Sequence, residues 1–386
     1  MSCFSGLVNR CWVFTGNKRR GSQQKSRPHI WKIDDIPKTN QTVWILGREY
    51  HASDDLKMIR QDISSKLWFT YRRGFVPIGG DNGPTTDKGW GCMLRCGQMV
   101  LGQAIVLNEL GRDWVWDPDT KDQTYLKILK KFEDSKKAPY SIHQIALMGE
   151  SEGKKVGEWF GPNTVAQVLK KLIKYDDSNL RIHVALDSAV IISDINASDT
   201  SIKSPETTSI TTKLKSVWVP LLLIVPLRLG LNEINPIYLP SLKKCLQFEQ
   251  SAGIIGGKPD HALYFIGYVG DEAIYLDPHT THLTAFIGKK ENKEQIHLDS
   301  TYHIKYASRM NMAQMDPSIA VCFFCKTEVE FFELCKRIKE DLIDNENTPL
   351  FELSYDKPKE WIPEEEEESV SELVRNFDSD HEFEIL

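Results

Sequence analysis

The chain has 386 residues, 41% hydrophobic and 10% aromatic, with a net charge of −6 and eight cysteines. Such a length and apolar content can bury a large core, in one large domain or two smaller ones. A disulfide-stapled framework is excluded, because the cysteines are sparse and irregular and no secretory signal precedes them, so reduced thiols and a cytoplasmic setting are expected. A membrane span is also excluded: the longest apolar stretch, Val217 to Leu227, is broken by two prolines and falls short of the roughly 20 residues needed.

In chain order, residues 1–36 read as a basic, disordered N-terminal tail, with seven basic groups and no acid among the first 33. That composition is shared with organelle transit segments, but a solvated tail accounts for it. Residues 37–356 carry the ordered sequence, and the chain between the two tails, residues 34–356, has a charge near −5 with no basic field suited to nucleic acid. After Cys92, apolar residues from Met93 to Leu110 recur at three- and four-residue steps until Gly111, which predicts a long helix. A second helix is predicted after Gly161-Pro162, with Asn163 as its cap.

Strand character marks Ile182–Leu186, Ala189–Ile195, Val217–Leu227, Ala262–Tyr268, Ala273–Leu276 and Ile319–Cys325. The polar stretch 193–215 reads as a surface insertion, and Gly270-Asp271 as a hairpin turn. A last helix opens with the capping box Thr327-Glu328-Val329-Glu330. Residues 357–386, with eleven acidic and three basic groups, read as an acidic disordered tail. Helices early and strands late predict an α+β fold in which the Cys92 helix packs on an antiparallel sheet.

The segment Gly89-Trp90-Gly91-Cys92 places a thiol on the first turn of a helix, where unpaired amides and the helix dipole favour the thiolate and bind an oxyanion. Most cysteines at such positions are only small core residues. Asp277-Pro278-His279 supplies the other parts of a thiol nucleophile's site. On an extended chain residues two apart share a side, and Pro278 keeps Asp277 out of helical geometry, so a carboxylate can orient an imidazole.

Several further segments carry a resemblance to a known family: Trp68-Phe69-Thr70-Tyr71-Arg72, Gly83 to Cys92, Tyr140 to Gln144, Trp159 to Thr164, Pro226 to Gly230, Gly256 to Pro259, Tyr275 to Thr280 and Asp316 to Ala320. Together, from about Val43 to Phe351, they closely resemble the autophagins, the autophagy-related cysteine peptidases of the papain-like superfamily. The resemblance implies a papain-like fold with a small additional subdomain. It implies cleavage after the C-terminal glycine of ubiquitin-like autophagy modifiers, both as precursors and as phosphatidylethanolamine conjugates, with only transient membrane proximity. It implies Cys92 as nucleophile, His279 as base and Asp277 as its orienter. Tyr71 would help hold the oxyanion, Trp159 would cover the nucleophile, and Gly256, Gly257, Lys258 and Pro259 would form a loop that lifts for substrate. Asp260-His261 departs from the family pattern of Asn followed by a small residue. Phe383-Glu384-Ile385-Leu386 resembles the short motif that binds these modifiers, Phe383 and Leu386 filling two pockets. Phe4-Ser5-Gly6-Leu7 has that spacing without acidic neighbours.

Other signals are bland. Cys322 and Cys325 lie on an apolar strand and read as core, and no histidine spacing makes a metal site or implies a cofactor. Cys96 reads first as core, with a redox role toward Cys92 as the alternative. A monomer is expected. A general deubiquitinating peptidase and a catalytically idle adaptor are the rival readings, and the intact Cys92, Asp277 and His279 weigh against the second.

Overall fold

Apolar runs of four to nine residues supply the strands, and a computed structural model shows how they pair; it describes residues 35–37, 39–197, 217–258, 261–287 and 298–357. In chain order the elements begin β1 (Thr42–Ile45), β2 (Arg48–His51), α1 (Leu56–Ser64), β3 (Tyr71–Arg73), α2 (Cys92–Glu109), α3 (Gln123–Lys130), α4 (Ile142–Met148) and α5 (Pro162–Leu172). There follow β4 (Arg181–Val184), β5 (Ala189–Ile191), α6 (Ile192–Ala197), β6 (Leu221–Arg228), α7 (Leu239–Gln247), β7 (Ser251–Lys258), β8 (His261–Val269) and β9 (Glu272–Leu276). The chain then forms β10 (Thr281–Leu283), β11 (Ser308–Asn311), β12 (Ser318–Cys325), α8 (Glu328–Arg337) and β13 (Glu352–Ser354).

The main sheet runs β11-β9-β8-β7-β12-β6-β4, with β1 pairing β8 and carrying β2. Its pairings are antiparallel except β4 on β6. The prolines flanking the apolar stretch fit this pattern. Pro220 precedes β6, and Pro226 lies beyond Ile224, the last residue paired with β4, where no neighbour on that side asks for its missing N–H. Strand alternation splits the core in two. Leu222, Ile224 and Cys322 face α2 and α5, whereas Leu221, Leu223, Val225 and Cys325 face α7 and α8. The two cysteines three apart on β12 thus point to opposite cores.

Helix α2 is buried almost all round from Cys92 to Val106, wedged between the sheet and α5, so it is a core helix rather than an amphipathic surface one. Where expectation and structure differ, local chemistry explains it. The strand expected over Ala189–Ile195 ends at Ile191, where α6 begins, because only three residues find a partner in β13. The cap of α5 is Gly161 with Pro162 at its first position, not Asn163. Thr327 does cap α8, accepting from the Glu330 amide at 3.2 Å, but Glu330 reaches back to the amide of Lys326 rather than of Thr327. Of the stretch 193–215, residues 193–197 lie in α6; residues 198–216 and both tails lie outside the described residues, apart from 35–37 and 357.

A buried ionic cluster sits under the start of α2. Asp87 accepts the Arg72 amide through Oδ1 at 2.6 Å and Arg95 Nε through Oδ2 at 2.7 Å, and Arg95 Nη1 continues to Asp134 Oδ1 at 2.8 Å. All three side chains are at most 1% exposed. Removing one member of such a cluster strands the others in a low-dielectric interior. Arg95→Ala should therefore lower the unfolding free energy by about 3–5 kcal/mol, read from urea denaturation; a loss below about 1 kcal/mol, the scale of a surface pair, would contradict this assignment.

Candidate active site

Three segments remote in sequence meet where α2 begins. Cys92 is its first residue and 2% exposed. The turn before it needs two glycines for different reasons. Gly89 holds φ +91°, a left-handed conformation costly for other residues. A Cβ on Gly91 would lie 2.5 Å from Asp87 Oδ2, so this glycine makes room for the buried carboxylate rather than for a substrate chain.

Asp277-Pro278-His279 follows β9. His279 Nδ1 meets Asp277 Oδ1 at 2.6 Å, and the His279 amide donates to the same oxygen at 2.9 Å. The tripeptide is fixed from the segment before α2: Trp68 Nε1 donates to the Asp277 carbonyl at 2.7 Å and the Tyr71 amide to the Pro278 carbonyl at 2.9 Å. That contact continues as the parallel pair β3–β10. The Tyr71 ring stands edge-on to His279, centroids 5.3 Å apart at 86°. With Nδ1 turned to the carboxylate, Nε2 is left buried without a formed hydrogen bond, and the Cys92 thiol is the group that acts on it. Such a loose contact is usual before substrate binds.

Burial by itself raises the Cys92 thiol. The close contact with His279, the Ala262 amide, the charge of His279 and the Tyr71 hydroxyl outweigh it and hold the thiol below its ordinary value. Burial likewise lowers His279, yet Asp277 and Cys92 together lift its imidazolium to about 9. Asp277 is held well below the usual carboxylate range, burial being overcome by the two histidines His261 and His279. Burial, then the neighbouring Cys92, raises Tyr71. Both shifts favour the thiolate and the imidazolium over the neutral groups, which equips the site for nucleophilic attack followed by proton donation.

Residues 56–337 match the peptidase C54 catalytic domain. The chain is 44% identical over 383 residues to cysteine protease ATG4A of Gallus gallus, covering 91% of this chain and 99% of that protein. It is 44% identical over 384 residues to cysteine protease ATG4A of Homo sapiens, covering 92% and 95%. To cysteine protease ATG4B of Xenopus laevis it is 45% identical over 370 residues, covering 91% and 95%. The chain belongs to the peptidase C54 family. It is accordingly a cysteine peptidase with an α+β, papain-like fold, and the motifs that resemble the autophagins point to the same family.

In this C54 peptidase Trp159 stands 43% exposed in the turn that enters α5. Gly256, Gly257 and Lys258 are not a loop. They are the end of β7, paired with Leu263, Ala262 and His261 of β8. Gly257, at φ +152°, admits the His261 carbonyl where a Cβ would lie 2.1 Å from it, which is what lets the strand run so far. Pro259, Phe383 and Leu386 lie outside the described residues. Cys96 is fully buried, and burial followed by the charge of Cys92 raises its thiol well above the ordinary value. A resolving thiol attacks as thiolate, so this placement works against a redox role.

The sequence carries no local signal for the roles of Trp68, the Asp87–Arg95–Asp134 cluster and His261 at this site. The first lay inside a motif already noted for Tyr71, and the last was visible only as a departure from the family pattern. Because Asp277 lifts His279, losing its charge has a signed effect. Asp277→Asn should cut kcat/KM about 100-fold or more and move the basic limb of the pH profile from near 9 toward neutrality; a limb that stays in place would contradict the coupling.

Proposed function

We propose that this peptidase cleaves the acyl bond after the C-terminal glycine of ubiquitin-like autophagy modifiers, both in precursors and in conjugates with phosphatidylethanolamine. The observation that carries the reading is the Cys92, His279 and Asp277 arrangement, taken with relatives named as ATG4 proteases over nearly their whole length. Cys92 sulfur attacks the carbonyl carbon, and His279 Nε2 passes its proton to the leaving amine. A water then attacks the thioester, with His279 taking the water's proton and the thiolate leaving.

The tetrahedral oxyanion would be met by the Cys92 amide at the start of α2 and the Tyr71 hydroxyl. Burial that keeps Tyr71 protonated supports a donor role. Trp159 and Gly256 to Lys258 are the residues to which we assign glycine specificity, which admits only bare backbone. A lipid headgroup amine leaves from the same acyl carbon as a peptide amine, so one site serves both substrates. The peptidase acts as a monomer in the cytoplasm, near membranes only through its lipid-linked substrate. Among the described residues no helix is long and apolar enough to cross a membrane.

Purified protein incubated with modifier precursor, lipid-conjugated modifier and a ubiquitin precursor should cleave the first two and spare the third, with Cys92→Ala inert. An uncleaved modifier precursor would sink the reading, and equal cleavage of ubiquitin would redirect it to a general deubiquitinating peptidase. Tyr71→Phe should lower kcat about 100-fold at nearly constant KM; an unchanged kcat would remove Tyr71 from the oxyanion site.

A further inference from the structure

One histidine at this site has no part in the reaction just described. His261 opens β8, directly before Ala262, whose amide acts on the Cys92 sulfur. Its ring lies flat on the catalytic imidazole, with centroids 3.4 Å apart and planes within 7°. Its Nε2 is 3.9 Å from Asp277 Oδ2, the carboxylate oxygen that His279 leaves open. The imidazole of His279 is thereby enclosed on three sides: Asp277 on its Nδ1 edge, Tyr71 edge-on, and His261 across one face.

His261, Asp277 and His279 bring ligand atoms within 4.8 Å of one another, as a metal site would. The stack argues against that use. Imidazole lone pairs lie in the ring planes, and two near-parallel planes 3.4 Å apart run alongside each other instead of converging on one ion. The Nδ1 of His279 is also already engaged by Asp277.

We propose that His261 is a positioning residue: its ring face holds the His279 imidazole in the orientation that keeps Nε2 on Cys92, and it ties the start of β8 to the catalytic pair. This rests on the proposed roles of Cys92 and His279. The face carries the effect on His279, because 3.4 Å is full contact for stacked rings, while the nitrogen, 3.9 Å from Oδ2, acts on Asp277. Because His261 directly precedes Ala262, whatever displaces the start of β8 also shifts the clamp on His279.

Two variants separate the ring from the nitrogen. His261→Phe keeps a flat face without the donor, and His261→Ala removes both. With the full chain, cleavage of a modifier precursor should show kcat reduced about tenfold in His261→Ala, the scale of a lost aromatic contact, at nearly constant KM and thermal midpoint. His261→Phe should retain most of the wild-type kcat. Alkylation of Cys92 by iodoacetamide at neutral pH, followed by mass spectrometry, should fall in the same order, because the thiolate depends on His279 whatever the substrate. Wild-type kcat and alkylation in His261→Ala, or equal impairment of the two variants, would overturn the proposal. If the wild type left the precursor intact while the alkylation order held, the substrate assignment would fail and the role of His261 would stand.

Discussion

The carboxylate of Asp87 is the constraint on which the site depends. It lies wholly inside the protein and ties two chain segments together, accepting the Arg72 amide beside Tyr71 and the Arg95 guanidinium from the first turns of α2. Its own carbonyl accepts the Gly91 amide at 2.8 Å. Tyr71 and Cys92 are therefore placed relative to each other by one group that touches neither. Gly91 is the steric condition for this arrangement, since any side chain there would occupy the position of the carboxylate.

From that node the rest of the site follows by contact. β3 runs parallel to β10, and Tyr71 with Trp68 just before it grips the backbone of Asp277 and Pro278, so the end of β9 is brought to the start of α2. Burial opposes charge on both Cys92 and His279. Each ion favours the other against that burial, and Asp277 adds to the support of the imidazolium. The site is thus an electrostatic arrangement that survives because each charge is answered by another held at fixed distance.

Much of this was legible in the chain. A cysteine at a helix start is visible because the periodicity of α2 is long and regular, and Asp277-Pro278-His279 is visible because two-residue spacing and proline geometry are local properties. The Gly270-Asp271 hairpin and the Thr327 cap were readable for the same reason. What escaped depends on distance along the chain. Arg95 meets Asp134 across 39 positions and Trp68 meets Asp277 across 209, and nothing in either neighbourhood signals the partner. The family resemblance implies a loop over Gly256 to Pro259, yet tertiary pairing with β8 draws Gly256 to Lys258 into a strand. His261 looked like an odd substitution until its ring was found on His279.

The central claim is that Cys92 and His279 form a thiolate–imidazolium pair, and the titration of His279 tests it most directly. Nitrogen-15 NMR of the histidine ring should show the imidazolium persisting to about pH 9 in the wild type and losing its proton at distinctly lower pH in Cys92→Ala, where burial is no longer opposed by the thiolate. A ring that titrates at an ordinary histidine value in the wild type, or one indifferent to loss of Cys92, would contradict the account.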